Sequence, residues 1–185
     1  MDVKHELIEQ LAWHWSTQAR PRLDGLTDDE YLWEPGPGAW SIRRRADATT
    51  GAAAGAGDWV ADYEFPEPSP PPLTTIAWRL GHVAIGVFGM RASNHFGDGG
   101  VTYATTDWPP TAAGGLDLLD EGYVAWMNGL RGLDAADLAR PCGPAEGPWS
   151  QHAMAGLVLH VNREAIHHLA EVALLRDLWR ARAVP

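Results

Sequence analysis

Cysteine is nearly absent from this chain: Cys142 stands alone among 185 residues. One thiol permits neither an intrachain disulfide nor a thiolate metal cluster, so any metal must be held by histidine, carboxylate or water. Cys142 also sits in a Pro/Gly-rich stretch with no adjacent base, which argues against a nucleophilic role. Long hydrophobic runs are missing too. No apolar stretch reaches the ~18 residues a membrane span needs, and the opening MDVKHELIEQ is charged, unlike a signal peptide. A cytoplasmic protein without a membrane partner is expected. Positive charge is scarce: 14 Lys and Arg against 24 Asp and Glu leave a formal net charge of −10. That balance excludes nucleic acid as a partner, because such binding releases counterions through a basic footprint. Strand-like alternation of useful length and internal repeats are both lacking.

What is present fits one globular domain over residues 1–185: hydrophobic residues make up 45% and charged residues 21%. Leu7, Leu11, Trp15 and Ala19 recur near every fourth position, predicting a first helix over 3–24 that ends at Asp24-Gly25. Thr27 and Glu30 form a capping-box pair opening a short turn over 28–33. A second helix is expected from 73–75 to about 94, a third over 114–131, a short turn over 134–139, and a fourth over 150–180 with Ser150 as N-cap. Between the first two lies a segment, 46–72, that is Ala/Gly-rich and then Pro-rich. A loop this long is either functional or mobile, and a flexible insertion is expected there. The prediction is all-α: an up-down-type four-helix bundle with long crossover loops.

The fourth helix carries the chemistry. Between His160 and Arg176 the chain reads HVNREAIHHLAEVALLR, and His160, Glu164, His167, His168 and Glu171 recur at helical spacing. At roughly 100° per residue they fall near one face, which Leu157, Leu175 and Leu178 share. Imidazoles and carboxylates on a core-facing stripe cost several kcal/mol of desolvation unless compensated, and a metal ion compensates most simply. Glu164 and His168, four apart, stack on one face and suit two ligands of one ion. His82, alone in the apolar second helix beside Gly86 and Gly89, supplies a third from a facing helix. His160 and Glu171 are placed to orient ligands, and His167, about 100° away from His168, flanks the pocket. Three protein ligands and an open position are the arrangement of a catalytic zinc, though nickel, iron or manganese also suit N/O donors. The bland alternative is a buried hydrogen-bond network around an ordinary core histidine. His14 reads as a core histidine, His5, His95 and His152 as solvated residues near helix ends, and Arg176 and Asp177 as ion-pair formers. Several of the ten tryptophans are expected to wall a pocket.

The stretch LDGLTDDEYLWEPGPGAWSI (23–42), the histidine within AWRLGHVA (77–84) and the last-helix motif together resemble the DinB-like superfamily of metal-binding four-helix bundles. Many members carry two histidines four apart on the last helix. Here the first of those positions is Glu164, which is similar to the branch of mycothiol-dependent maleylpyruvate isomerases and mycothiol S-transferases, where zinc is held by His, Glu and His. The resemblance implies His82, Glu164 and His168 as ligands, a small-molecule thiol and an electrophile as substrates, and pairing as a homodimer, for which the sequence shows no heptad. It departs from the branch at Glu171, where a histidine is frequent, and at Leu175-Arg176-Asp177, where Leu-Arg-Glu is usual. The reaction expected is thiol S-transfer or thiol-assisted isomerisation. A metal-dependent hydrolase with Glu171 or His160 as proton acceptor, and a non-enzymatic metal-binding stress-response protein, are the alternatives.

Overall fold

The computed structural model describes residues 2–182. Helix α1, Val3–His14, starts on Asp2, whose carboxylate accepts the His5 N–H at 3.2 Å. The helix continues through a wider π-type turn, Trp15–Ala19, and a tight 3₁₀ turn, Arg20–Leu23. It stops where Gly25 takes φ +70°, a left-handed conformation that glycine adopts without steric penalty. Helix α2, Asp28–Tyr31, is a single turn. The Thr27 hydroxyl caps it as the sequence predicts, but the Glu30 carboxylate does not fold back onto Thr27. It pairs instead with Arg176, so only half of the expected capping box forms.

The second bundle helix begins at Thr75, whose hydroxyl caps α3, Ile76–Gly81. It widens into a π stretch, His82–Gly89, and resumes as α4, Met90–Phe96. Such π distortions frequently mark functional sites, and this one starts at His82, the ligand predicted on this helix. Helices α5, Ala112–Gly132, α6, Ala135–Ala139, and α7, Met154–Ala181, complete the order. Helix α7 starts four residues later than its expected Ser150 cap. Residues 144–149 form a 3₁₀ turn that absorbs Ser150 at its end, and Ala153 precedes α7 without any side-chain cap.

The apolar faces meet as an all-α bundle. The π stretch packs against α5 and α7, while α1 packs against α7. Leu11, Leu80, Phe88, Leu119, Trp126 and Val172 are fully buried between them. Asn162 on α7 donates to the Leu7 carbonyl at 2.8 Å, fixing the two helices along their axes. No helix among the described residues is long and apolar enough to cross a membrane.

Two short strands depart from the expected absence of β-structure. Strand β1, Ile42–Arg44, pairs antiparallel with β2, Trp59–Ala61, in the register Ile42 to Ala61 and Arg44 to Trp59. Each strand is three residues long, too short for an alternating pattern to register. Strand β2 lies inside 46–72 and ties that segment to the bundle. Asp62 completes the tie. Its fully buried carboxylate accepts from the Ser41 N–H (3.0 Å), Arg43 Nε (2.9 Å) and the Thr49 hydroxyl (2.9 Å), and its carbonyl accepts Trp78 Nε1–H (2.8 Å). Asp62→Ala leaves the buried Ser41 N–H without its acceptor, along with the less buried Arg43 and Thr49 donors, and should weaken the local structure by roughly 1–3 kcal/mol. Limited proteolysis checks this: cleavage within 46–72 should accelerate while the helical circular dichroism stays unchanged.

Candidate metal centre

The bundle brings the second and last helices together where their polar residues lie. The imidazole of His82 meets that of His168 edge to face, with ring centroids 4.6 Å apart. Glu164, one helical turn before His168, places Oε2 3.4 Å from His168 Nε2. These three side chains, from two elements some 80 residues apart in sequence, line one cavity of about 490 Å³.

Each histidine has its other ring nitrogen occupied. His168 Nδ1 lies 2.7 Å from Glu171 Oε2, with Arg79 Nη1 at 3.3 Å. Arg79 Nε stands 3.1 Å from the same Glu171 oxygen, so its guanidinium holds the carboxylate in place. His82 Nδ1 lies 2.7 Å from the Tyr103 hydroxyl. A ligating imidazole commonly donates its remote N–H to a carboxylate or another acceptor, which fixes its tautomer and orientation. Glu171 and Tyr103 provide such acceptors and leave Nε2 of each ring for an ion.

The electrostatics agree with that assignment. Burial, helped by the positive charges of His168 and Arg79, pushes His82 down to about 3, so its ring is neutral and able to coordinate at any physiological pH. Burial would raise Glu164, but its bond to Arg163 and the nearness of His160 and His168 outweigh that and hold its carboxyl below the usual range. Burial also raises the Tyr103 hydroxyl, which stays protonated.

Around the polar centre the cavity is aromatic. Trp78 stacks on His82 (centroids 5.6 Å, planes 11° apart), the Tyr103 ring lies 6.2 Å from His82 with planes 18° apart, and Trp108 lies 5.9 Å from Tyr103. Trp40 leans on Trp78 at 5.8 Å. The predicted tryptophan wall is therefore Trp40, Trp78 and Trp108. Residues 61–65 and Glu67 also line the cavity. The Ala/Gly/Pro-rich segment thus forms part of the cavity wall.

A second grouping shares His168: one donor atom each from His167, His168 and Glu171 lie within 4.8 Å of one another, so this trio could also hold an ion. The two arrangements differ in surroundings. His167 is 63% exposed on the helix flank, whereas His168 is 12% exposed and faces the cavity. The second trio would also use as ligand the Glu171 carboxylate that Arg79 already neutralises. The set of His82, Glu164 and His168 differs in facing the cavity, with the remote ring nitrogen of each histidine engaged.

The remaining sequence candidates separate. His160 sits beside Glu164, its Nδ1 2.6 Å from Arg163 Nη2 and 3.7 Å from Glu164 Oε1. His14 lies elsewhere, with Nε2 buried and unpartnered. His95 is buried rather than solvated, because residues 144–149 fold over the end of α4 and Glu146 accepts its Nε2 at 2.9 Å. Two contributors were missed. Tyr103 lies in a Gly/Pro-rich loop that carries no periodic signal. Arg79, three residues before His82 on the same helical face, was visible in principle.

An all-α bundle whose second and last helices converge on two histidines and a glutamate defines the class: a helical bundle with a candidate divalent-metal centre. The chain belongs to the DinB superfamily, whose family model matches residues 10–172. No curated protein and no solved structure matches it.

Proposed function

We propose that this protein is a divalent-metal-dependent thiol S-transferase of the cytoplasm, with His82, Glu164 and His168 as the ligands of a zinc ion. One observation carries the reading: two imidazoles and a carboxylate converge in an aromatic cavity with both remote ring nitrogens already engaged. A bound zinc with three protein ligands supplies an open position and the Lewis acidity that favours the thiolate form of a low-molecular-weight thiol such as mycothiol at neutral pH.

The protein's own side chains do the rest. Glu171 accepts the hydrogen bond of His168 Nδ1–H, and Arg79 holds that carboxylate in position. Tyr103 does the same for His82 as a neutral acceptor, so one ligand has a charged support and the other an uncharged one. Trp40, Trp78 and Phe65 give an apolar wall for the electrophile, and residues 61–67 limit the water that reaches the centre. Glu171, bonded to His168 and paired with Arg79, is poorly placed as the free proton acceptor that hydrolysis requires.

The test is to purify the protein without added metal, quantify bound ions, and follow thiol consumption with a panel of electrophiles. Glu164→Ala should lose both the metal and the thiol consumption. Turnover of esters or amides without added thiol would instead establish a hydrolase. His82→Ala and His167→Ala separate the two ligand sets. Metal should leave with His82 and stay with His167; the reverse pattern assigns the ion to His167, His168 and Glu171.

A further inference from the structure

The helix that carries His82 has two notches, at Gly81 and Gly86, and each is filled by a ring from the loop between α4 and α5. A Cβ on Gly86 would coincide with the Tyr103 hydroxyl oxygen and stand 2.7 Å from Tyr103 Cζ. On Gly81 it would fall within the Trp108 ring, 2.6 Å from Cε3. Both separations are well inside van der Waals contact, so any residue larger than glycine at either position must displace the ring it faces.

The π stretch makes the two notches neighbours. At roughly 100° per residue, positions five apart on an α-helix point about 140° from one another. The i→i+5 bonding of His82–Gly89 widens the turn and brings such positions towards one face. The two rings that occupy the notches accordingly lie side by side, with centroids 5.9 Å apart and planes 22° from parallel. The loop is held on both flanks. Trp108 is 3% exposed and its Nε1–H donates to the Tyr103 carbonyl at 3.2 Å, while the Ala56 N–H donates to the Thr106 carbonyl at 3.0 Å from the segment 46–72. Tyr103 therefore cannot swing aside for a methyl group unless this turn moves with it. Its hydroxyl, at the bottom of the Gly86 notch, lies 2.7 Å from His82 Nδ1.

We propose that Gly86 and Gly81 are positioning residues of the metal centre: they seat Tyr103 and Trp108 against the helix, and the seated Tyr103 hydroxyl holds the His82 ring with Nε2 turned to the cavity. Gly86 acts directly, by admitting the hydroxyl; Gly81 acts through Trp108, which supports the Tyr103 backbone. That this seat serves an ion rests on the reading of His82 as a ligand; that the glycines set the hydrogen bond of His82 does not.

Two measurements on the full chain test this. The first is the His82 Nδ1 resonance in nitrogen-15 spectra of metal-free protein, assigned by its loss in His82→Ala. It should move in Gly86→Ala and in Tyr103→Phe in the same direction, because both take the hydroxyl from Nδ1. The second is zinc affinity by competition with a chromophoric chelator. It should fall by roughly 10–100-fold in each single variant, the size expected for losing an outer partner of a metal-bound histidine. The double variant Gly86→Ala, Tyr103→Phe should be no weaker than either single one, since both remove the same bond. Gly156→Ala on α7, where an added methyl meets nothing within 4 Å, should match wild type in both measurements. If Gly86→Ala does not fold, Gly81→Ala poses the same question through Trp108, with the same shift of the His82 resonance expected. An unmoved resonance in a folded glycine variant, or losses that add in the double variant, overturns the proposal while leaving His82 a ligand. Wild-type protein that binds no zinc overturns the ligand reading and the proposed service to an ion with it, and the resonance alone then decides the seat.

Discussion

His168→Ala is expected to purify without stoichiometric metal and to show no metal-dependent thiol consumption. This is the largest functional effect anticipated for a single side chain, because His168 belongs to both groupings that can hold an ion. It also contacts every other part of the centre: His82 edge to face, Glu164 at Nε2, and Glu171 and Arg79 at Nδ1. Inductively coupled plasma measurement of the purified variant decides it, and full metal content there would sink the assignment. The expected contrast is Glu171→Gln. It keeps a hydrogen-bond acceptor for His168 but removes the charge, so metal affinity should fall by roughly 10–100-fold rather than vanish, as for other outer partners of metal-bound histidine.

Arg176→Met should destabilise the fold by about 3–5 kcal/mol, the range for breaking a buried ion pair by removing one partner. Arg176 on α7 donates Nε to Glu30 Oε1 at 2.7 Å and Nη2 to Glu30 Oε2 at 3.0 Å, with both side chains under 5% exposed. Its Nη1 also donates to the carbonyls of Arg22 and Asp24, where the first helix turns into α2. The variant leaves a buried carboxylate and two carbonyls without partners. Chemical denaturation should show a lower midpoint with an unchanged slope. The double variant Arg176→Met, Glu30→Leu should recover part of the loss, because an apolar pair can replace a buried ionic one. A single-variant loss under 1 kcal/mol would mean the pair contributes no net stability. By contrast, the neighbouring pair of Arg22 and Asp177, about half exposed, should contribute little.

Some of this architecture was readable without coordinates, and some was not, for identifiable reasons. Helical periodicity is local, so the extents of α3 through α4 and of α5 lie within two residues of those predicted. Caps were less secure. Thr27, with an oxygen in reach of the first-turn amides, caps as predicted, but Ser150 was drawn into a different turn by the proline-containing stretch 144–149. The same stretch buried His95, which as an isolated helix-end residue reads as solvated. Strands β1 and β2 exist because they pair with each other across 14 intervening residues, and nothing in either triplet announces it.

The amino-acid sequence by itself determined the helical class, the ban on thiolate ligands and the polar stripe on α7, because each follows from residue type and spacing along one element. Only the tertiary structure decided what that stripe meets. His167 and His168 are adjacent in sequence, yet packing against the second bundle helix puts one against His82 and leaves the other in solvent. It also supplied Tyr103 and Arg79 as supports and brought residues 61–65 to the cavity wall, contacts between segments far apart in the chain. A side chain's direction is periodic and local, whereas its partner depends on where distant elements pack.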